Sequence, residues 1–451
     1  MNRPLAAAIV VAIVIVATVA VIFGTYSFSE SAKGLPNAFV GVAFGGNSVS
    51  EGEQLIDKVK GYTNLFVLQS GVLEQDFNSV NELGDYAVAA GMYFLPYFGA
   101  YVPVTFSAWL AAAQERWGTH LLGVYYGDER GGKMLDDYVY FNDSATGDTI
   151  TKTIYGDIVV QKINGIVIQY EMNGNINLYQ PNTSDNSNID NEATFYPNGT
   201  IQLVKSSNGM ADFTYKSYQE LNSTRPFGSL ADAAQRFIQG DQTNIDFLKT
   251  HQAKVFTSDY SLMWFDYLSG YDVVLGQLGW NQSVTEQIAF IRGAATLQNK
   301  DWGVVLTWKY QQPPYLDNAS DILSQMTTSY ECGAKYIVLF DYYANNQSAY
   351  GTLTNQDFQV LQSFWNNAVN HKITHGSIKA DSVLVMPANY GWGARWATDH
   401  IWGIFQPNNA TIQYWNLMQT VLQKHGLRTD IIYADPKYPL PASYQNIYRT
   451  S

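Results

Sequence analysis

Two adjacent carboxylates, Asp128 and Glu129, stand in the run Tyr125-Tyr126-Gly127-Asp128-Glu129-Arg130-Gly131-Gly132, directly after a short apolar stretch. Two such groups side by side disfavour each other's ionisation and can titrate apart, so that one holds a proton while the other accepts one; general acid–base chemistry needs that difference. The plainer reading is a solvated or helix-capping acidic pair with Arg130 as its counter-ion. Further acids follow other apolar stretches: Asp259 in Thr257-Ser258-Asp259-Tyr260, Asp266 beside Trp264, and Asp341 before Tyr342 and Tyr343. Asp at a strand end is also a common turn former. Amides and aromatic side chains recur with these acids, namely Tyr126, Trp264, Gln277, Trp280 with Asn281, Trp308 with Lys309 and Tyr310, and Tyr342. Planar apolar faces beside carboxylates and amides would suit a ligand that is CH-rich on one side and hydroxylated on the other.

Other chemistries find less support. Six histidines include no HExxH, and His371 with His375 has i, i+4 spacing but no third ligand nearby, so no metal is expected. Gly391-Trp392-Gly393 lacks the third glycine of a dinucleotide fingerprint and reads as a turn; no cofactor is expected.

The elements that must position these residues form a repeating pattern. From Asn37 onward, short apolar runs rich in β-formers alternate with amphipathic helical stretches, as parallel strands with crossover helices require. Eight strands are predicted: Phe39 to Phe44, Leu65 to Gln69, Met92 to Phe98, Leu121 to Tyr126, Val255 to Ser258, Val273 to Leu275, Val304 to Trp308 and Tyr336 to Phe340. Eight units of this size favour closure into a (β/α)8 TIM barrel, with the acids and aromatics past the strand C-termini where barrel sites are built. Arg292-Gly293-Ala294-Ala295 reads as a helix packed closely on the seventh strand.

The texture changes between residues 137 and 225. DIVVQKI, GIVIQYEM, INLYQ and TIQLVK alternate in polarity and are joined by Asn164-Gly165, Asn173-Gly174 and Asn198-Gly199, strong hairpin signals. This is an all-β insertion after the fourth strand, placed to wall a cleft or to serve as an adhesive module. The organisation is thus a barrel first half at 35–136, the insertion, a second half at 226–375, and a small C-terminal α/β segment at 376–451 with strands Ser382 to Pro387 and Asp430 to Tyr433 around the helix Thr411 to Lys424.

On these elements the chain resembles the barrel glycoside hydrolases over roughly Asn37 to Asn370, in architecture and without a family-specific motif. The resemblance implies Glu129, ending the fourth strand, as general acid, and a second carboxyl group as nucleophile or base. The seventh strand ends Leu306-Thr307-Trp308-Lys309-Tyr310 without the acid that the largest barrel clan carries there, so Asp128, Asp259 or Asp341 would supply the partner. The alternative is a noncatalytic surface protein that binds glycans or envelope components through the insertion and aromatic rim.

Composition sets the address and the partners. Acids outnumber bases by 39 to 26, a net charge of −13 that repels nucleic acid. Leu5 to Phe23 is an unbroken apolar run without charge, Pro or Gly, long enough at roughly 28 Å to cross a hydrocarbon core. Arg3 precedes it while Glu30 and Lys33 follow, which predicts a single-pass anchor in residues 1–30 with the body outside the cell, or secretion if the run is cleaved. Eight glycosylation sequons, beginning at Asn142, Asn182, Asn198, Asn222, Asn281, Asn318, Asn346 and Asn409, fit that address, and the single Cys332 leaves stability to packing.

Overall fold

The computed structural model describes residues 38–450 apart from 100–104, 137–138, 144–145, 183–184, 207–212, 281 and 344–347. The apolar run of the N-terminus and Asn281 lie outside the described residues, among which no helix is long and apolar enough to cross a membrane. Of the sequon asparagines, Asn198, Asn222, Asn318 and Asn409 are exposed.

Eight parallel strands close into a barrel. They are β1 (Phe39–Phe44), β2 (Leu65–Leu68), β3 (Tyr93–Phe98) and β4 (Val124–Tyr126), then β12 (Val255–Asp259), β13 (Val273–Leu278), β14 (Asp301–Leu306) and β15 (Tyr336–Asp341). Their order round the ring follows the chain, and β15 pairs with β1 to close it. Parallel strands need crossovers, and buried faces of the intervening helices cover the outside of the ring, as with Leu55, Ile56 and Val59 of the Val49–Val59 helix.

Side chains on each strand alternate between two cores. Val67, Leu95, Tyr125, Phe256, Leu275, Val305 and Val338 fill the barrel interior, while Val255, Val274, Val304, Ile337 and Leu339 face the helices. Aromatic rings close the lower end: Phe39 meets Tyr93 at 4.8 Å and Tyr336 at 5.1 Å between centroids, and Phe256 meets Tyr336 at 5.1 Å. The ring is therefore a packed core, open to ligand only at its upper mouth.

Between β4 and the Leu230–Gly240 helix, the strands β5 (Val139–Asn142), β6 (Thr149–Lys152), β7 (Ile158–Gln161), β8 (Val167–Tyr170), β9 (Ile176–Asn182), β10 (Asp185–Phe195) and β11 (Ile201–Ser206) form one antiparallel sheet in chain order. Gly165, Gly174 and Gly199 have positive φ at its tight turns, where a residue without Cβ is needed. At the C-terminus, β16 (Ser382–Met386), β17 (Thr429–Tyr433) and β18 (Asn446–Tyr448) make a three-stranded parallel sheet in the order β17-β16-β18.

The Val284–Gln298 helix joins this sheet to the barrel. A Cβ on Gly293 would lie 2.7 Å from the Ile431 carbonyl oxygen, so this glycine makes room for β17, while the helix also packs on β14, the seventh barrel strand, as the sequence suggests. Its opposite side, at Ile291, faces β13. Arg292 and Asp430 pair at 2.7 Å, both nearly inaccessible, and Tyr444 donates to the same carboxylate at 2.7 Å. His371 and His375 follow the end of the Asn355–Val369 helix instead of sharing a helical face, and the His375 ring is bonded to the Ala334 carbonyl at 3.0 Å.

Candidate functional site

The β4 exit makes a sharp turn. Gly127 and Glu129 have φ of 66° and 59°, and such a conformation costs a non-glycine residue about 1–3 kcal/mol. Backbone hydrogen bonds from Glu129, Gly131 and Gly132 over-determine it. The Glu129 N–H donates to the Ser258 carbonyl at 2.9 Å, and the helix Arg130–Asp136 starts immediately after it. Asp259 accepts from the N–H groups of Gly131, Gly132 (2.8 Å) and Ser261 (3.0 Å). Gly131 and Gly132 allow the close approach, since a Cβ on either would run into the Ser261 carbonyl or the Tyr260 ring.

Alternation then decides which strand-end acids see the mouth. Phe256 points inward on β12, so Ser258 does too, and Asp259 points outward to cap the helix that carries Glu129. Phe340 packs against the interior on β15, so Asp341 also points outward, where it accepts from the Thr352 N–H at 3.0 Å and hydroxyl at 3.2 Å. Both acids are fully buried, and burial pushes each carboxyl up to about 7. Asp266 is buried as well; burial first, then the neighbouring Asp259, hold it well above the carboxylate range. The expectation that Asp259 or Asp341 would oppose Glu129 across a cleft does not match this geometry, because strand period two turns both away from it.

Inward-pointing polar side chains instead form one connected network. Asp128 Oδ1 accepts from the Tyr125 hydroxyl at 2.7 Å and the Ser258 hydroxyl at 2.6 Å, and its Oδ2 accepts from Gln69 Nε2 at 3.4 Å. Gln277 Nε2 donates to Ser258 Oγ at 3.0 Å and to Glu129 Oε1 at 2.8 Å, while its Oε1 accepts from Trp280 Nε1 at 2.9 Å. Lys133 approaches the other Glu129 oxygen at 3.6 Å. Burial, and next the charge of Glu129, push Asp128 up to about 6 in spite of its donors. Gln69, Tyr125 and Ser258 were not singled out from sequence, although counting by twos from Val67 or Phe256 points to the first and last of them.

Glu129 and Asp128 open onto different clefts. Glu129 lines one of about 710 Å³, walled by Tyr260, Trp280 and Glu286 of the barrel rim and by Trp396 and Trp415 of the C-terminal segment. Trp280, with φ of 50°, is 41 % exposed, and Trp396 is 49 % exposed with the Arg395 guanidinium over its ring at 4.5 Å. Arg395 fixes this wall, bonding Asp136 at 2.6 Å and both Asp399 oxygens at 2.9 and 2.8 Å. Asp128 lines a second cleft of about 700 Å³ against Tyr140 and Phe141 of the antiparallel sheet.

The other candidates are dispersed. Trp308 packs edge-on to Tyr342, ring centroids 5.6 Å apart, above β14 and β15, and Tyr310 is exposed beside Lys309. Tyr126 is buried, pointing away from the mouth to a 2.7 Å bond with Asn244. Trp264 is buried against Tyr433 and Tyr438 and belongs to the joint with the C-terminal sheet.

No family model matches the chain, and no curated protein matches it. Among solved structures, it is similar to GH5_18 from Streptomyces cattleya in complex with GlcNAc at 8% identity and a TM-score of 0.45, over 92% of this chain and 99% of that one. The Thermobaculum terrenum O-GlcNAc hydrolase is similar at 10% identity and TM-score 0.29, over 76% and 63% of the two chains. The Bacillus subtilis spore coat polysaccharide biosynthesis protein spsE is similar at 8% identity and TM-score 0.33, over 74% and 68%. Such distant likenesses say nothing of substrate, and the barrel stands on its own strand pairing.

Proposed function

We propose that this is a glycoside hydrolase-like protein of the cell surface, tethered by its N-terminal apolar run, which acts on extracellular glycans through carboxyl chemistry centred on Glu129. The observation that carries the reading is the position of Glu129: a carboxylate on a strained turn at the barrel mouth, opening onto a cleft that the exposed Trp280 and Trp396 line. Indole faces suit the CH side of a pyranose ring, while carboxylates and amides suit its hydroxyls. Asp128, behind it and held by three donors, has its ionisation opposed by burial and by the Glu129 charge, and it lines another cleft.

One observation favours the second reading, a noncatalytic glycan-binding protein: Asp259 and Asp341 are turned into the fold. A polysaccharide hydrolysis screen of wild type and Glu129→Gln separates the two. The enzymatic reading expects turnover that falls about 10²- to 10⁴-fold in the variant, the usual contribution of an acid–base group. Equal turnover by both proteins removes Glu129 from the mechanism, and binding without turnover in wild type selects the second reading.

A further inference from the structure

We propose that Glu286 is the second carboxyl group of this site, delivering a proton from the cleft wall to the leaving oxygen of an uncharged glycoside whose anomeric carbon faces Glu129. The inference rests on the glycan reading above and adds to it the partner that the strand ends do not provide.

Glu286 is 6 % exposed and lines the same cleft as Glu129. It lies in the first turn of the Val284–Gln298 helix, where its N–H is capped by the Ser283 hydroxyl at 3.4 Å. That helix follows β13, whose Gln277 donates to Glu129 and accepts from Trp280, so the exit of this strand touches Glu129 and leads directly into the helix that carries Glu286. The Gln419 side chain, which lines the same cleft, bonds the Glu286 carboxyl. Burial dominates over that bond and pushes the group up to about 8, so Glu286 carries its proton at neutral pH. The other charged or titratable groups on these walls are Glu129, Asp136, Tyr260 and Arg395. Arg395 is committed to Asp136 and Asp399, which fits a neutral sugar better than an acidic one.

The step balances with water as the only co-reactant. Water attacks the anomeric carbon and gives a proton to the Glu129 carboxylate as the new C–O bond forms, so that Glu129 acts here as the base and not as the acid that the resemblance implies. The glycosidic C–O bond breaks, its electron pair leaves on the aglycone oxygen, and the Glu286 proton joins that oxygen. Exchange with solvent then returns both groups to their starting states.

The test compares wild type and Glu286→Gln on neutral oligosaccharides and on the matching nitrophenyl glycosides, whose leaving group departs without a proton. The expected result is a loss of about 10²- to 10⁴-fold on oligosaccharides with near wild-type rates on nitrophenyl substrates, and loss of the alkaline limb near pH 8. Equal losses on both substrates assign Glu286 a wall role and overturn the proposal. Should the variant not fold, carboxyl NMR of labelled wild type decides: a Glu286 signal that titrates near 8 and shifts on adding oligosaccharide supports it, and one that is ionised at neutral pH overturns it. A wild type that binds oligosaccharide without turnover overturns the role of Glu286 and leaves glycan recognition standing, whereas absence of any binding removes the glycan reading itself.

Discussion

Asp259 satisfies three backbone N–H groups, two of them just past Glu129 and one on its own loop, and it does so from outside the barrel mouth. Exchanging one carboxylate oxygen for an amide sets an NH2 against an N–H donor, and an unsatisfied buried group costs about 1–3 kcal/mol. Asp259→Asn is therefore expected to lower the unfolding free energy by about 1–3 kcal/mol, read as a lower urea midpoint at unchanged slope, while any ligand affinity of the folded molecules is kept. An unchanged midpoint with abolished turnover would instead make Asp259 a reacting group. The same side chain shows how far the site was legible in the sequence. Residue types at strand ends could be read directly, and they led to Asp128, Glu129, Gln277 and Trp280, which one hydrogen-bonded network joins. Direction could have been read too, since Ser258 and Asp259 differ by one step of a period-two pattern, and Phe256 marks which of them looks inward. Glu286, Trp396 and Trp415 left no local signal, because their meeting with Glu129 depends on a helix and a C-terminal segment more than a hundred residues away folding back onto the rim.

At the level of elements, the joint between barrel and C-terminal sheet depends on a helix face without side-chain bulk. Gly293→Ala would force a methyl group against the Ile431 backbone carbonyl, and overpacking of this kind costs about 1–3 kcal/mol. Gly61 has no atom near its would-be Cβ, so Gly61→Ala is a control expected to stay within about 0.5 kcal/mol. Paired thermal melts of the two variants measure the difference, and equal melting points would mean that the helix and β17 can part freely. The strands themselves were legible where apolar runs are bounded by polar residues, as at FVGVAF for β1 and YIVLF for β15. The seventh was displaced: Asp301 and Gly303 hide the start of β14, and Thr307 with Trp308 extends its apparent β character past its true end at Leu306. The three-residue β18, polar and at a sheet edge, has no periodicity long enough to read. Burial on both sides explains why the helix Val284–Gln298 has little amphipathic pattern, and why its second partner, β17, leaves no mark in the sequence.

Across the whole molecule, an unusual share of carboxyl groups is buried with raised pKa. Burial lifts Asp128 to about 6, Asp259 and Asp341 to about 7 and Glu286 to about 8, and it raises Asp430 as well. In the unfolded chain these groups titrate near 4. From about pH 4.5 to 8 the native state therefore binds more protons than the unfolded state, and stability must fall as pH rises through that window. Asp57, Asp85 and Asp301 are shifted the other way by their Lys or Arg partners, but their contribution is lost only below the ordinary carboxylate range and does not oppose the trend. The expected outcome is a higher melting temperature at about pH 5 than at about pH 8, with the net charge of −13 adding self-repulsion at the alkaline end. Asp341→Asn isolates one contribution: an amide keeps an acceptor for Thr352 but cannot ionise, so it should be near neutral at acidic pH and stabilising at alkaline pH. Melting curves that stay level between those two pH values, or an Asp341→Asn effect that ignores pH, would show that these carboxyls ionise inside the folded protein at no cost and would also remove the basis for a proton held on Glu286.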